Sequence, residues 1–195
     1  MSKRLIILLL LIAGLMFAGA SLTDKGSNNS GKKGSAVPQS LNDMIGRPAP
    51  DFSLTSYDGK LFALSQQRGK KVILFFNEGI MCYPACWNQM AALGTDGQLN
   101  SEKVVSVSIV TDESDEWKMA VKKMPELGKG TILMDSDRRV SNQYGMLSLA
   151  SSMHKGTMPG HTYLIVDEQG VVRYTLDDPK MGVQNDVLVS ELAKI

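Results

Sequence analysis

Cysteine is nearly absent from this chain, at two residues in 195. Two sulfurs cannot build a disulfide-dense miniature scaffold, nor the multi-cysteine cages of structural zinc or iron–sulfur sites. Histidine is equally scarce, with two residues, and aromatics make up only 6%. Neither charge dominates. The formal net charge is +1, and dropping the first twenty residues removes Lys3 and Arg4 and no acid, turning it to −1. Nucleic-acid proteins normally carry a basic stripe, so that class of partner is excluded. What is present, 43% hydrophobic and 21% charged residues, suffices for one globular domain. Any chemistry must therefore be local.

The N-terminus reads as an address. Lys3 and Arg4 precede an uncharged apolar run from Leu5 to Ala20. A basic start followed by an apolar stretch is the pattern of an export signal. Ala18-Gly19-Ala20 offers the small residues that a signal peptidase accepts, and an uncut run of this length sits at the short end of a membrane anchor. Residues 1–20 are thus expected to be a signal peptide or N-terminal anchor, placing the rest of the chain outside the cytoplasm, periplasmic or at the cell surface. Residues 21–44, rich in Ser, Gly, Asn and Lys at their start, read as a flexible linker. Residues 45–195 remain as the folded domain.

Apolar patterning divides that domain into alternating elements. Asp58-Gly59 marks a tight hairpin turn after a proline-stiffened opening segment. Lys71–Phe76 is a continuous apolar run, the signature of a strand buried on both faces, and Val104–Val110 reads as a second interior strand. Trp87–Leu93 is expected to be helical and to stop at Gly94. Ser114 is expected to cap a helix with Asp115 and Glu116 in its first turn, Lys122 and Lys123 in its last, and Pro125 as its stop. Thr131–Asp135 reads as a third strand and Arg138–Tyr144 as a short helix. His161–Val166 and Val171–Thr175 form a hairpin across Asp167–Gly170, and a helix over Asp186–Lys194 closes the chain. The pattern predicts an α/β fold with a mixed central sheet and helices on both faces.

Both cysteines fall in Met81-Cys82-Tyr83-Pro84-Ala85-Cys86-Trp87, just past the first buried strand and at the mouth of a helix. Unpaired amides at a helix start favour a thiolate, the form that attacks peroxides and disulfides. Pro84 suits the first helical position, leaving Cys82 outside the helix and Cys86 in its first turn. Four residues apart on a regular helix, Cβ atoms lie roughly 5–6 Å apart, whereas a disulfide needs about 3.8 Å. A bond between them therefore requires an opened first turn, and should be easily reduced. Two idle buried thiols are the bland alternative.

Gly46-x-x-Ala49-Pro50-x-Phe52-x-Leu54, the Asp58-Gly59 turn and the Val72–Phe76 strand resemble the opening of thioredoxin-fold peroxiredoxins of the AhpC/TSA type and their membrane-tethered TlpA-like relatives. Gly79, Cys82, Cys86 and Gln89 match that group's site motif, with one extra residue between the cysteines, and Thr162–Arg173 is similar to its closing hairpin. The resemblance implies a thioredoxin fold with an N-terminal hairpin extension. It also implies a thiol-based oxidoreductase acting on peroxide or protein disulfides, fed by a thiol electron donor and needing no cofactor. In it Cys82 matches the attacking cysteine and Cys86 the resolving one. Gly79 departs from the Thr or Ser usual in peroxiredoxins, and His161 stands where they carry Arg or thioredoxins a cis-proline. Both a slower peroxidase and a thiol–disulfide exchanger fit those departures.

By the same resemblance His161 is expected across from the cysteines, holding the thiolate as imidazolium or shuttling a proton, or else bonded within its own loop. His154 reads as a solvated loop residue, Trp87 and Gln89 as packing and helix surface, and Asp112, Asp135 and Asp137 as caps or solvated turns. A rival comes from the SCO copper proteins, also thioredoxin folds, which this spacing resembles. In that reading Cys82, Cys86 and His161 would hold copper, with Met81, Met153 or Met158 as extra sulfur donors. A tethered binding module without turnover is the third reading.

Overall fold

A computed structural model describes residues 40–195. The leader expected at 1–20 and the linker up to residue 39 lie outside the described residues. Among the described residues no helix is long and apolar enough to cross a membrane.

Seven strands form one mixed sheet: β1 (Ser53–Ser56), β2 (Leu61–Ala63), β3 (Lys71–Phe76), β4 (Val104–Val110), β5 (Thr131–Met134), β6 (Thr162–Val166) and β7 (Val172–Asp177). Their spatial order is β2-β1-β5-β4-β3-β6-β7. β3 runs parallel to β4 and antiparallel to β6, and β4 runs parallel to β5. Alternation along β3 divides the core. Val72, Leu74 and Phe76 face a cluster containing Val140 and Tyr144 of the α3 side, α3 being Arg139–Gln143. Ile73 and Phe75 face the cluster formed with α1 (Ala85–Thr95), α2 (Ser114–Lys123) and α4 (Asn185–Leu192). Every residue from Val72 to Phe76 is buried, so burying each large side chain contributes roughly 1.5–3 kcal/mol and fixes the register. The expected mixed sheet, two helical faces and N-terminal β1–β2 hairpin are all present.

Several boundaries differ from those expected, three of them for a visible physical reason. Leu41–Met44, expected to belong to the linker, forms a 3₁₀ turn whose Met44 is buried in the core. Helix α1 runs through Gly94 to Thr95 instead of stopping at it. Gly94 is there because the backbone of Gly130 packs against it: a Cβ would lie 2.5 Å from Gly130 N. The α2 cap is Glu113, one residue before Ser114, with its N–H donating to the Glu116 carboxylate at 3.1 Å. Pro125 does end α2, opening a 3₁₀ segment over Pro125–Lys129.

Candidate active site

The chain leaves the buried end of β3 into a 3₁₀ turn, Gly79–Cys82, and only then enters α1. Tyr83 between them is extended (φ −79°, ψ 136°), so the cysteines do not occupy successive turns of one regular helix. Cys82 lies outside α1 and Cys86 is its second residue, as expected. Pro84 is the cap instead of the first helical residue, and the Tyr83–Pro84 peptide is cis. With the helix opened there, the Cα atoms are 5.3 Å apart and the sulfurs are joined in a disulfide. The structure is thus that of the oxidised pair. Both residues are buried, while their neighbours Met81 and Tyr83 are exposed at 61% and 69% and flank the approach.

His161, immediately before β6, faces Cys86 and not the bulk of the loop: Nδ1 lies 3.5 Å from Cys86 Sγ. Its other nitrogen, Nε2, lies 3.2 Å from Gly182 O and 2.7 Å from the Tyr163 hydroxyl. A carbonyl can only accept, so the proton that serves Gly182 O is on Nε2, which leaves the Nδ1 lone pair aimed at sulfur. Phe75 closes the ring edge-on at 4.6 Å. Burial pulls the His161 pKa down to about 4, against the opposing pull of Asp178, the Gly182 carbonyl and Asp177. The imidazole is therefore neutral at physiological pH. In this disulfide-bonded form burial thus favours the neutral ring, and the approach of Nδ1 to Cys86 Sγ suits proton transfer with that sulfur.

A loop after β7 forms the third wall, and sequence reasoning passed over it. Asp178 accepts from Lys180 N, Gly182 N and Gln184 Nε2 at 3.0, 3.0 and 2.6 Å. Burial works against its charge, but those hydrogen bonds outweigh it and hold Asp178 below the usual carboxylate range. Gln89 of α1 is buried, not a helix-surface residue: its Oε1 accepts from Gln184 N at 2.6 Å and its Nε2 donates to Asn185 Oδ1 at 2.9 Å. Pinned from both ends, the loop presents Gly182 O to His161 and Met181 Sδ to Cys82 Sγ at 3.9 Å. Met181 is the methionine beside the sulfur pair; of those named from the sequence, Met81 and Met153 point outward at 61% and 65% exposure.

Of the acids read as caps or solvated turns, Asp135 caps a helix and Asp112 anchors a turn. Asp135 is buried and accepts from Val140 N and Ser141 N at the start of α3, and burial raises its pKa. Asp112 accepts from Ile80 N at 3.1 Å and Trp117 Nε1 at 3.0 Å, anchoring the turn that carries Cys82. Burial likewise raises its pKa, against both of those hydrogen bonds. Gly79 beside it has φ +62°, and a Cβ there would lie 1.8 Å from Asp112 Oδ2. The carboxylate fills the space that a Thr or Ser side chain would need. Asp137 fits its reading, accepting from Arg139 N at 3.0 Å.

His154 is an exposed loop residue, as expected, and in addition has a buried partner. Its Nδ1 lies 3.1 Å from Oε2 of Glu78, a buried carboxylate. The other Glu78 oxygen accepts from Met153 N at 2.5 Å and His154 N at 3.0 Å, tying the 151–154 turn to the end of β3.

A nucleophile at a helix start, a second sulfur in bonding reach and a neutral base against that second sulfur suffice for a two-electron thiol cycle. Comparison with known proteins points the same way. The AhpC/TSA family profile matches residues 45–175. Peroxiredoxin Bcp of Escherichia coli K12 is 30% identical over 146 residues, covering 74% of this chain and 92% of that protein. The putative peroxiredoxin bcp of Haemophilus influenzae is 26% identical, covering 77% and 97%. In structure, peroxidoxin BcpB from Mycobacterium tuberculosis superposes with a TM-score of 0.63 at 20% identity, covering 78% of this chain and 97% of that one. Enterococcus faecalis AhpC gives 0.66 at 18%, covering 77% and 91%.

Proposed function

Because the chain belongs to the AhpC/TSA family and is a peroxiredoxin-type thiol peroxidase, we propose a specific division of labour within its site. Cys82 is the attacking sulfur, Cys86 the resolving one, and His161 handles the proton of Cys86. In the first step the Cys82 thiolate attacks one peroxide oxygen, the O–O bond breaks, the alkoxide or hydroxide leaves as alcohol or water by taking up the proton released when the thiol ionised, and Cys82 becomes a sulfenic acid. In the second, Cys86 attacks the Cys82 sulfur as its thiol proton passes to Nδ1 of His161. The S–O bond breaks, and the departing hydroxide takes up that proton as water. An external dithiol then returns two electrons and two protons.

The observation that carries this reading is the 3.5 Å approach of Nδ1 to Cys86 Sγ, with Nε2 committed to a carbonyl. The two-sulfur division is tested by trapping. Cys86→Ser should accumulate sulfenic acid on Cys82, detected by dimedone and mass spectrometry, and Cys82→Ser should consume no peroxide above background. Dimedone labelling at Cys86 in the wild type would reverse the assignment.

We also place the site outside the cytoplasm, on the basic-then-apolar pattern of residues 3–20. Cell fractionation of the full chain tests it, and recovery of intact protein in the cytosol would count against it.

A further inference from the structure

The disulfide explains Cys82 and Cys86, and the proton explains His161, but neither uses Met181. Its position is unusual. Met181 has φ +51°, in the left-handed region that a side chain other than glycine rarely adopts. Such a conformation is strained and persists only where surrounding contacts impose it. Here Asp178 and Gln89 impose it, from opposite ends of the loop. The result is a thioether 3.9 Å from Cys82 Sγ.

Around that point the donor atoms converge. Cys82 Sγ, Cys86 Sγ and a ring nitrogen of His161 all lie within 4.8 Å of one another, and all three residues are buried. The Nε2–H to Gly182 O contact leaves Nδ1 as the free donor, facing Cys86 Sγ at 3.5 Å. A backbone acceptor on the far nitrogen is the usual support of a metal-bound histidine.

We propose that the reduced pair, with His161 and Met181, forms a binding site for a soft monovalent cation, Cu(I). Two thiolates, one imidazole and one thioether are the donor set that selects Cu(I) over harder ions. Zinc sites use thiolate, imidazole and carboxylate but not thioether, so Met181 is the residue that separates the two metals. Loading requires prior reduction: the S–S bond takes up two electrons and two protons, and Cu(I) then displaces those two protons from the thiols. Re-forming the disulfide removes both anionic donors and releases the ion, so metal occupancy and peroxide turnover exclude one another at the same atoms.

The test uses the full chain, reduced and then freed of reductant under anaerobic conditions, and titrated with Cu(I) held by bicinchoninate. One Cu(I) per chain is expected, and none on the oxidised protein. Met181→Leu, close in volume and apolar, should weaken Cu(I) binding roughly 10–100-fold while leaving Zn(II) affinity unchanged. Copper-edge X-ray absorption on the loaded wild type should show three sulfur scatterers and one nitrogen. An unchanged Cu(I) affinity in Met181→Leu, or two sulfurs only in the absorption spectrum, overturns the Met181 site; equal binding by oxidised protein overturns the whole proposal. Peroxide-driven thiol loss, followed on the same metal-free sample, keeps the two readings apart. Its survival with no copper bound dismisses copper alone, and its absence with copper bound dismisses the peroxidase division of labour alone.

Discussion

The two histidines of this chain occupy opposite surroundings, and the contrast shows how little residue type decides by itself. His161 is fully buried, packed on Phe75, bonded to a carbonyl and a hydroxyl, and aimed at sulfur. Among the described residues no carboxylate is hydrogen-bonded to it. His154 is half-exposed and lies against the buried carboxylate of Glu78, whose second oxygen holds two backbone amides. One ring is placed to move a proton, and the other helps to fasten a turn. The two are seven positions apart in sequence and differ in what the fold brings to them.

That contrast is sharpest in the kinetics. Replacing His161 by Gln should leave the attack of Cys82 on peroxide within a few-fold and slow disulfide closure by roughly 10²–10⁴-fold. The tryptophan signal of Trp87, which follows Cys86 directly, offers the stopped-flow readout. His154→Gln should change neither phase, and an equal slowing in both variants would dissolve the distinction.

Acid comes next in size. The folded-state pKa of His161, near 4, lies below its ordinary 6.5, so an unfolded chain takes up a proton in that window that the folded one refuses. Stability therefore falls as pH drops from about 6.5 to about 4, by up to roughly 3 kcal/mol, and this residue adds no slope outside the window. Asp112 and Asp135, whose pKa values burial raises, oppose the trend near its lower end. Urea melts of oxidised wild type and His161→Gln isolate the histidine: wild type should lose stability relative to the variant as pH falls through that window, and a difference that stays constant from pH 6.5 to 4 would assign the effect to another group.

The smallest effects belong to the fastening pair. Glu78→Gln exchanges an acceptor of two amides for a group with one oxygen, and should cost about 1–3 kcal/mol in a urea melt. His154→Gln should cost only about 0.2–1 kcal/mol, because that ring is half in water. A larger loss from the histidine than from the carboxylate would reverse the roles assigned here.

Much of the architecture was legible in the sequence because its signals are local. The apolar runs at Lys71–Phe76 and Val104–Val110 and the Asp58-Gly59 turn each announce an element from a handful of adjacent residues. The cysteine pair was legible for the same reason, being confined to five positions. The partners that organise the site were not. Asp112 reaches Ile80 across 32 residues, Glu78 reaches His154 across 76, Gln89 reaches Gln184 across 95 and Met181 reaches Cys82 across 99. Nothing in the periodicity around an aspartate distinguishes a solvated turn from a buried anchor, since the difference lies in what the tertiary fold lays over it. Gly94 failed in the same way: its closeness to Gly130 keeps it inside a helix that local propensity would end.

The overlap of Gly79 with the Asp112 carboxylate binds the histories of those two positions together. Installing a hydroxyl-bearing side chain at 79, in the manner of other peroxiredoxins, cannot succeed by itself, since the added atoms would land on an oxygen already there. The acid must be shortened first, and Ile80 and the Trp117 indole then lose their acceptor. Any route from this site to the more usual one runs through a weakened intermediate, so a library that varies positions 79 and 112 jointly will find active solutions that single-site scanning discards.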